Sequence, residues 1–155
     1  MSEKRIEKRL KELGLALPEP PKPVASYVPY VMSGKLLFIS GQVPMGPDGL
    51  EYQGVVGDSL SVEDGQAAAR LCALNILAQA KAATRNLDLI SRVVRLGGFV
   101  RCHGAFTEQP KVINGASDLM QDVFGETGRH ARAAVGVNAL PGGVAVEVEA
   151  VFEVS

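Results

Sequence analysis

Hydrophobic and polar residues alternate strictly along the last part of the chain. From Val144 to Val154 the even-numbered positions are apolar, whereas Glu147, Glu149 and Glu153 occupy odd-numbered positions. A period of two is typical of a β-strand with one buried face. Residues 131–139 alternate in the same way, and a Leu-Pro-Gly-Gly connection joins the two runs. This arrangement predicts a β-hairpin at the end of the chain.

The expected pairing of this hairpin assigns its two faces. If Ala139 lies opposite Val144, the core face takes Ala131, Ala133 and Val135, and the opposite face takes Arg132, Asn138, Glu147 and Glu149. A single arginine flanked by alanines and facing carboxylates is a candidate for binding an anion. The alternative is a structural ion pair between Arg132 and Glu149, which are diagonal neighbours in that register.

The preceding residues predict the other elements. We expect, in order, a helix over Ser2–Leu13, a proline-rich linker over Leu17–Pro23, strands over Ser26–Met32 and Lys35–Val43, a turn at Gly46–Gly49, a helix from Ser61 to about Asn86, a strand over Arg92–Cys102 and a helix from Pro110 to about Gly125. Ser61 and Asp64 form a capping-box signature. Strands at both ends and two core helices between them predict an α+β fold, with both helices on one face of a mixed sheet.

The first helix is expected to stand apart from the rest. Its apolar stripe is thin, consisting of Ile6, Leu10 and Leu13, and the prolines that follow should separate it from the core. We therefore divide the chain into an N-terminal helix and linker, residues 1–23, and a main domain, residues 24–155. Deleting the helix should then cost little stability.

Composition excludes several classes of function. A chain of 155 residues with a net charge of −1 has no basic footprint for nucleic acid or an anionic membrane. No apolar run is long enough to span a bilayer. Two cysteines and no secretory signal favour a cytoplasmic protein. Two histidines without a cluster of metal ligands predict no metal site, and no glycine-rich fingerprint indicates a nucleotide cofactor.

The second face of the predicted sheet raises a question about assembly. Small and apolar residues accompany its charges, namely Ala134, Gly136, Ala145 and Val151. A surface for self-association explains this composition, and an ordinary solvated face explains it equally well.

Several short motifs, taken in order and spacing, resemble the Rid family of YjgF-type proteins, also labelled endoribonuclease L-PSP. They are Tyr27, the Ser-Gly-Gln-Val-Pro run from Ser40 to Pro44, Asn114, and R-x-x-V from Arg132 followed by L-P and V-E-V-E-A. The resemblance covers about Val24 to Val154. It implies a chorismate-mutase-like fold and a homotrimer whose sheets face inward, with sites in the clefts between subunits.

The resemblance also implies an activity, the hydrolysis of reactive 2-imino acids to 2-keto acids and ammonia without a metal or other cofactor. Arg132 would bind the substrate carboxylate, and Glu147 would act on the water, with Glu149 as its competitor for that role. Tyr27 would close the site from a neighbouring subunit, and Ser40 and Gly41 would form the pocket wall. Asn114 matches a helical asparagine with a structural role. The backbone near Gly41 and Ala134 could hold the imine nitrogen or the water.

The chain departs from the family pattern in three places. Ala134 stands where many members carry cysteine, the segment from Gly97 to Arg129 is longer, and the first helix is an addition. Two other functions therefore stay open. One is a non-catalytic trimer that binds small carboxylates as a sensor or as a partner of a metabolic enzyme. The other is an endoribonuclease, which the acidic chain and its two histidines disfavour.

Overall fold

The computed structural model, which describes residues 4–23 and 25–155, places two long helices against one face of a five-stranded sheet. The helices are α1 (Arg5–Glu12), α2 (Val62–Thr84) and α3 (Gln109–Phe124), and the strands are β1 (Tyr30–Ser33), β2 (Leu36–Gln42), β3 (Met45–Gly46), β4 (Gly49–Leu50), β5 (Ile90–Arg101), β6 (Ala131–Val137) and β7 (Val146–Val154). The predicted α+β class is confirmed. The predicted helix start at Ser2 and the domain boundary at Val24 lie outside the described residues.

The local start signals of the two long helices are confirmed. The Ser61 hydroxyl accepts a hydrogen bond from the Asp64 N–H, and the Asp64 carboxylate accepts one from the Ser61 N–H. Pro110 lies in the first turn of α3, where its missing N–H costs no helical hydrogen bond. The Gly46–Gly49 turn joins the short strands β3 and β4.

The order of strands in the sheet differs from the expectation. It runs β1-β2-β7-β5-β6, and all pairs are antiparallel except β5 with β6, which is parallel. The predicted hairpin between β6 and β7 is therefore wrong, because β5 lies between them. After β6 the chain crosses the end of β5, where its backbone forms hydrogen bonds with residues 52–54. The Ala145 N–H donates to the Tyr52 carbonyl, and the Gly54 N–H donates to the Gly143 carbonyl.

Helices α2 and α3 cover one face of the sheet, which we call the covered face. The even-numbered residues of β7 are buried beneath them, as the alternation predicts. Close packing depends on two glycines. A Cβ on Gly98 of β5 would lie 2.6 Å from the Ile113 side chain, and a Cβ on Gly115 of α3 would overlap the backbone of Gln66 in α2.

The two faces of β6 are the reverse of the prediction. Ala131, Ala133 and Val135, expected in the core, are exposed on the side away from the helices. Arg132 pairs with Leu96 of β5, a buried core residue, and so lies on the covered face. Apart from Arg132, both sets of β6 residues are small, so the alternation alone does not say which set faces the helices. The polar partners that α3 offers to Arg132 decide it.

The other face of the sheet, which we call the open face, has no helix over it among the described residues. Its exposed apolar residues include Val31, Leu36, Phe38 and Val135, and they lie beside charged residues such as the ion-paired Arg95 and Glu149. The residues predicted for this face are only partly there: Val151 is half-buried on it, Ala145 is fully buried, and Ala134 and Gly136 lie on the covered face. Exposed apolar side chains of this kind are typical of surfaces that bind another protein chain.

Helix α1 is part of the core, contrary to the expectation. Ile6 is 0% exposed and Leu10 is 2% exposed, and both belong to the main hydrophobic cluster. The Asp88 carboxylate, in the turn after α2, accepts the N–H groups of Arg5 at 2.9 Å and Ile6 at 2.8 Å. The proline-rich linker leads back along α2, where the Gln79 side chain donates to the Pro21 carbonyl. The linker therefore joins the helix to the domain instead of separating it.

This packing predicts a large effect from shortening Leu10. Leu10→Ala should lower the free energy of unfolding by roughly 2–5 kcal/mol, because it removes a buried side chain and leaves a cavity. The measurement is urea denaturation followed by circular dichroism. Lys8→Ala, at an exposed position of the same helix, is the matched control and should change stability by less than about 0.5 kcal/mol. Equal stability of the two variants would show that α1 does not contribute to the core.

Candidate functional site

Arg132 projects from the edge strand β6 onto the side of α3. Its Nη1 donates to Asn114 Oδ1 at 2.8 Å and to Ser117 Oγ at 3.0 Å, and its Nη2 donates to the Pro110 carbonyl at 3.1 Å. Three acceptors from one helix fix the plane of the guanidinium. The alternative of an ion pair between Arg132 and Glu149 is wrong, because Glu149 pairs with Arg95 at 3.7 Å.

One edge of this guanidinium keeps its hydrogen-bonding capacity. Among the described residues, neither Nε–H nor the second hydrogen of Nη2 has an acceptor, and Arg132 has no carboxylate partner. Nε and one terminal nitrogen form an edge that binds a carboxylate with two parallel hydrogen bonds. A hollow of about 240 Å³ adjoins the guanidinium, lined by Asn114, Ser117, Asp118, Gln121, Arg129, His130 and Arg132.

Ser117 and His130, which line this hollow, were not predicted as functional. His130 is half-buried, with Nε2 2.8 Å from Ser117 Oγ and Nδ1 2.7 Å from the Gly128 carbonyl. Burial lowers the pKa of His130 from its ordinary value of 6.5, and Arg132 lowers it further, against the opposite effect of the Gly128 carbonyl. The sequence feature that could have identified His130 was its position two residues before Arg132, which places both side chains on the same side of the chain. We call Arg132, Asn114, Ser117 and His130 the arginine cluster.

A second group of predicted residues surrounds the irregular end of β2. Ser40 and Gly41 form a bulge between two residues that pair with β7, Ile39 and Gln42. The Gln42 side chain donates to the Ser40 carbonyl, and Ser40 Oγ donates to the Val28 carbonyl at 2.7 Å. Tyr27 and Gly41 line one small cavity of about 50 Å³. The bulge therefore aligns the backbone of Ser40 and Gly41 beside Tyr27.

Glu147 belongs to this second group. A Cβ on Gly41 would overlap Oε2 of Glu147, so only glycine leaves room for the carboxylate there. Burial raises the pKa of Glu147 from its ordinary value of 4.5, and the neighbouring Glu149 raises it further. Glu149 is ion-paired with Arg95, so Glu147 is the better candidate for proton transfer. We call Tyr27, Ser40, Gly41 and Glu147 the glutamate cluster.

The two clusters lie far apart within one chain. Arg132 aligns with Ala150 across β5, whereas Glu147 lies two strands from β6 and three residues further along β7. These offsets amount to about 10 Å across the sheet and about 10 Å along it. Moreover, Arg132 is on the covered face and Glu147 on the open face. A small molecule bound to Arg132 cannot contact Glu147 of the same chain.

The remaining predicted residues support these clusters. Asn114 accepts a hydrogen bond from Arg132, which agrees with the structural role expected of it. Ala134 follows Arg132 on the same face, partly buried against the core. Within residues 4–23 and 25–155, no group of three or more histidine, cysteine, aspartate or glutamate side chains is placed to hold a metal ion. No helix in the described part of the chain is long and apolar enough to cross a membrane.

Comparison with known proteins places this chain in a family. Residues 7–148 match the family described as "YjgF/chorismate_mutase-like, putative endoribonuclease". The chain belongs to this family. It is 51% identical to Protein TCP17 of Trypanosoma cruzi over 97% of this chain and 95% of that protein, and 33% identical to the RutC family protein y4sK of Sinorhizobium fredii over 87% and 92%.

A solved structure shows the same fold. The protein Atu1372 from Agrobacterium tumefaciens, described as having unknown function, matches 97% of this chain and 94% of its own, with 51% identity and a TM-score of 0.90. The resemblance predicted from the short motifs is confirmed, together with the chorismate-mutase-like fold. The family match begins within α1, at residue 7, so most of the helix that the motifs marked as an addition lies inside it.

The lowered pKa of His130 predicts how stability depends on pH. The folded state binds fewer protons than the unfolded state from pH 6.5 down to the folded pKa, so stability is lost as the pH falls through that range. His130→Asn should weaken this dependence by about 1.4 kcal/mol for each unit of the pKa shift. The measurement is urea denaturation of both proteins at pH 7.5, 6.5 and 5.5. Parallel curves would show that His130 has an ordinary pKa.

Proposed function

We propose that this protein hydrolyses 2-imino acids to 2-keto acids and ammonia, at sites formed by two neighbouring subunits of a homotrimer. The observation that carries the proposal is the separation of the arginine and glutamate clusters within one chain. Each cluster has half of the chemistry that this reaction requires. The arginine cluster offers a carboxylate-binding edge, and the glutamate cluster offers an acid–base group with a raised pKa.

An assembly of several chains is supported by the open face and the edges of the sheet. The exposed apolar residues of the open face need a cover. Arg132 lies on β6 at one edge, and Tyr27 precedes β1 at the other. A contact between unlike surfaces of successive copies closes into a ring when the rotation permits. In a ring of three, the arginine cluster of one subunit would meet the glutamate cluster of the next.

The substrate class follows from the arginine. A 2-imino acid has a carboxylate next to its electrophilic carbon, so one bidentate contact orients the reacting centre as well as binding it. The edge formed by Nε–H and Nη2–H remains for this contact, while Asn114, Ser117 and the Pro110 carbonyl hold the rest of the guanidinium. A planar keto acid, the product, would bind in the same way.

Glu147 would transfer the protons. It removes a proton from the water as the oxygen attacks the C=N carbon of the protonated imine, which gives a tetrahedral amino alcohol. The protonated carboxyl then gives this proton to the nitrogen. The C–N bond breaks and ammonia is released, while the hydroxyl gives its proton to the Glu147 carboxylate and becomes the carbonyl of the keto acid. Ammonia then takes this proton and leaves as ammonium, which returns Glu147 to its ionised form. A carboxyl with a raised pKa suits both steps, because it can hold the proton between them.

The other residues of the glutamate cluster would shape the site. The bulge at Ser40–Gly41 leaves backbone groups outside the regular pairing of β2 with β7, where they could hold the water or the imine nitrogen. Tyr27, half exposed in one chain, would close the cleft over the neighbouring subunit's arginine. The backbone near Ala134 would line the arginine side. No metal or other cofactor takes part in these steps.

A complementation experiment tests the shared site. Arg132→Ala and Glu147→Gln should each be inactive alone, with losses of at least about 10–100-fold, because each removes one half of every site. When both variants are co-expressed in equal amounts, mixed trimers would regain intact sites from unlike neighbours. Random assembly in a closed ring should restore about a quarter of wild-type imine hydrolysis. An amino-acid oxidase generates the imine in the assay, and keto-acid release is followed.

The control is the double variant Arg132→Ala/Glu147→Gln co-expressed with wild-type protein. In these mixed trimers, activity should come only from sites that lie between two wild-type subunits. Light scattering should report about three times the chain mass of 16.4 kDa for every preparation. Absence of recovery in the mixed trimers, or a monodisperse monomer, would disprove the site between subunits.

A second prediction concerns the geometry of Arg132. Arg132→Lys keeps the charge but loses the planar fork, so imine hydrolysis should fall nearly as far as in Arg132→Ala. Arg132→Ala should also lower the free energy of unfolding by about 1–2 kcal/mol, because Asn114 Oδ1 loses its hydrogen-bond donor. Calorimetric titration with pyruvate should show weaker binding to both variants. Wild-type protein that binds pyruvate but does not accelerate imine hydrolysis would favour the non-catalytic carboxylate binder.

A further inference from the structure

A chain of hydrogen bonds leads from the Arg132 guanidinium to the loop before β6. Arg132 Nη1 lies 3.0 Å from Ser117 Oγ, Ser117 Oγ lies 2.8 Å from His130 Nε2, and His130 Nδ1 lies 2.7 Å from the Gly128 carbonyl. Ser117 is 4% exposed and His130 is half-buried, so water competes little for these bonds.

The position of each proton follows from the partners. The Gly128 carbonyl can only accept, so Nδ1 of His130 carries the hydrogen. A neutral imidazole then has a bare Nε2, which accepts the Ser117 hydroxyl hydrogen. That leaves the lone pairs of Ser117 Oγ to accept from Arg132 Nη1. The histidine therefore determines which way the serine hydroxyl points, and the hydroxyl determines where the guanidinium lies.

Burial, and then the charge of Arg132, favour the neutral form of His130. Arg132 lies beside it on β6, Arg129 immediately precedes it, and Asp118 is the acidic group that lines the same hollow from α3. A protonated imidazole would be half-buried next to the Arg132 guanidinium. Neither of these two cations would have a carboxylate partner among the described residues. Its Nε2–H would also point at the oxygen that Arg132 uses, so the orderly chain of donors and acceptors would be lost.

We propose that Ser117 and His130 are positioning residues, which hold Arg132 so that its free edge is presented to the substrate carboxylate. This proposal rests on the proposed function, because it assigns the free edge of Arg132 to that substrate. Asn114 and the Pro110 carbonyl fix the other side of the guanidinium. The carboxylate is bound in the ground state and in the transition state alike, so the loss of positioning should act mainly by raising KM, with a smaller fall of kcat from the poorer orientation of the reacting centre.

Four variants test this role by kinetics and by binding of pyruvate. Ser117→Ala removes the hydroxyl, and His130→Asn keeps a donor for the Gly128 carbonyl but loses the acceptor for Ser117. Both should raise KM and the Kd for pyruvate roughly tenfold. Ser117→Thr keeps the hydroxyl, and the Oε1 of His130→Gln can replace Nε2 as acceptor. These two should stay within about threefold of wild type.

A spectroscopic measurement separates positioning from stability. The ¹⁵N–¹H signal of Arg132 Nε, assigned by its absence in Arg132→Ala, should be sharp in wild type and broadened in Ser117→Ala and His130→Asn at temperatures where all are folded. Pyruvate binding unchanged in these two variants, or a fall of kcat at constant KM, would overturn the proposal. Because pyruvate binding needs no turnover, the positioning role is tested even if wild-type protein does not hydrolyse imines.

Discussion

A five-stranded sheet has two faces, and within residues 4–23 and 25–155 this chain places helices on only one of them. Helices α2 and α3 pack so closely that Gly115 is required where their backbones meet, and none of the described helices lies over β2, β7 and β5 on the other side. The exposed Phe38 and Val135 are the result. Removing such side chains from water stabilises an association by about 25 cal/mol per Å² buried. The exposed apolar residues of this face therefore favour assembly, and the proposed site depends on that assembly.

The position of Arg132 at the edge of the sheet combines two requirements. A guanidinium in the centre of the covered face would be fully enclosed by α2 and α3, without room for a ligand. At the edge strand, α3 provides three acceptors on one side, and a hollow remains on the other. The burial of part of the side chain makes its orientation definite, while the charge stays accessible from outside the subunit.

Much of the fold was predictable from local signals, because those signals act over short distances. The capping box at Ser61, the turn at Gly46–Gly49 and the alternation in β7 are each fixed by neighbouring residues, and all three are confirmed. The pairing of β6 was not predictable, because alternation shows that a strand has two faces but not which strand lies beside it. The small residues of β6 fit either face, and only the polar side chains of α3, distant in sequence, decide between them.

Arg132 was a candidate from the alternation pattern alone, whereas the other candidate residues were predictable only through the resemblance to a family. Glu147 and Glu149 alternate identically in sequence, and the bulge at Gly41 and the ion pair with Arg95 distinguish them only in three dimensions. Ser117 and His130 carried no motif, since their importance comes from one chain of hydrogen bonds across α3 and β6. The burial of α1 escaped prediction for a similar reason, because a thin stripe can be fully buried when it contains two well-placed side chains.

The capping of α1 by Asp88 has a consequence for biosynthesis. The side chain of Lys4 offers no cap to this helix of eight residues, and its first N–H groups bond to a carboxylate more than 80 residues further along the chain. A helix this short is not stable by itself in water. During translation this segment leaves the ribosome well before its cap and the α3 surface that packs on α1. The helix is therefore among the last elements to acquire its native structure, with its apolar stripe open to chaperones until then.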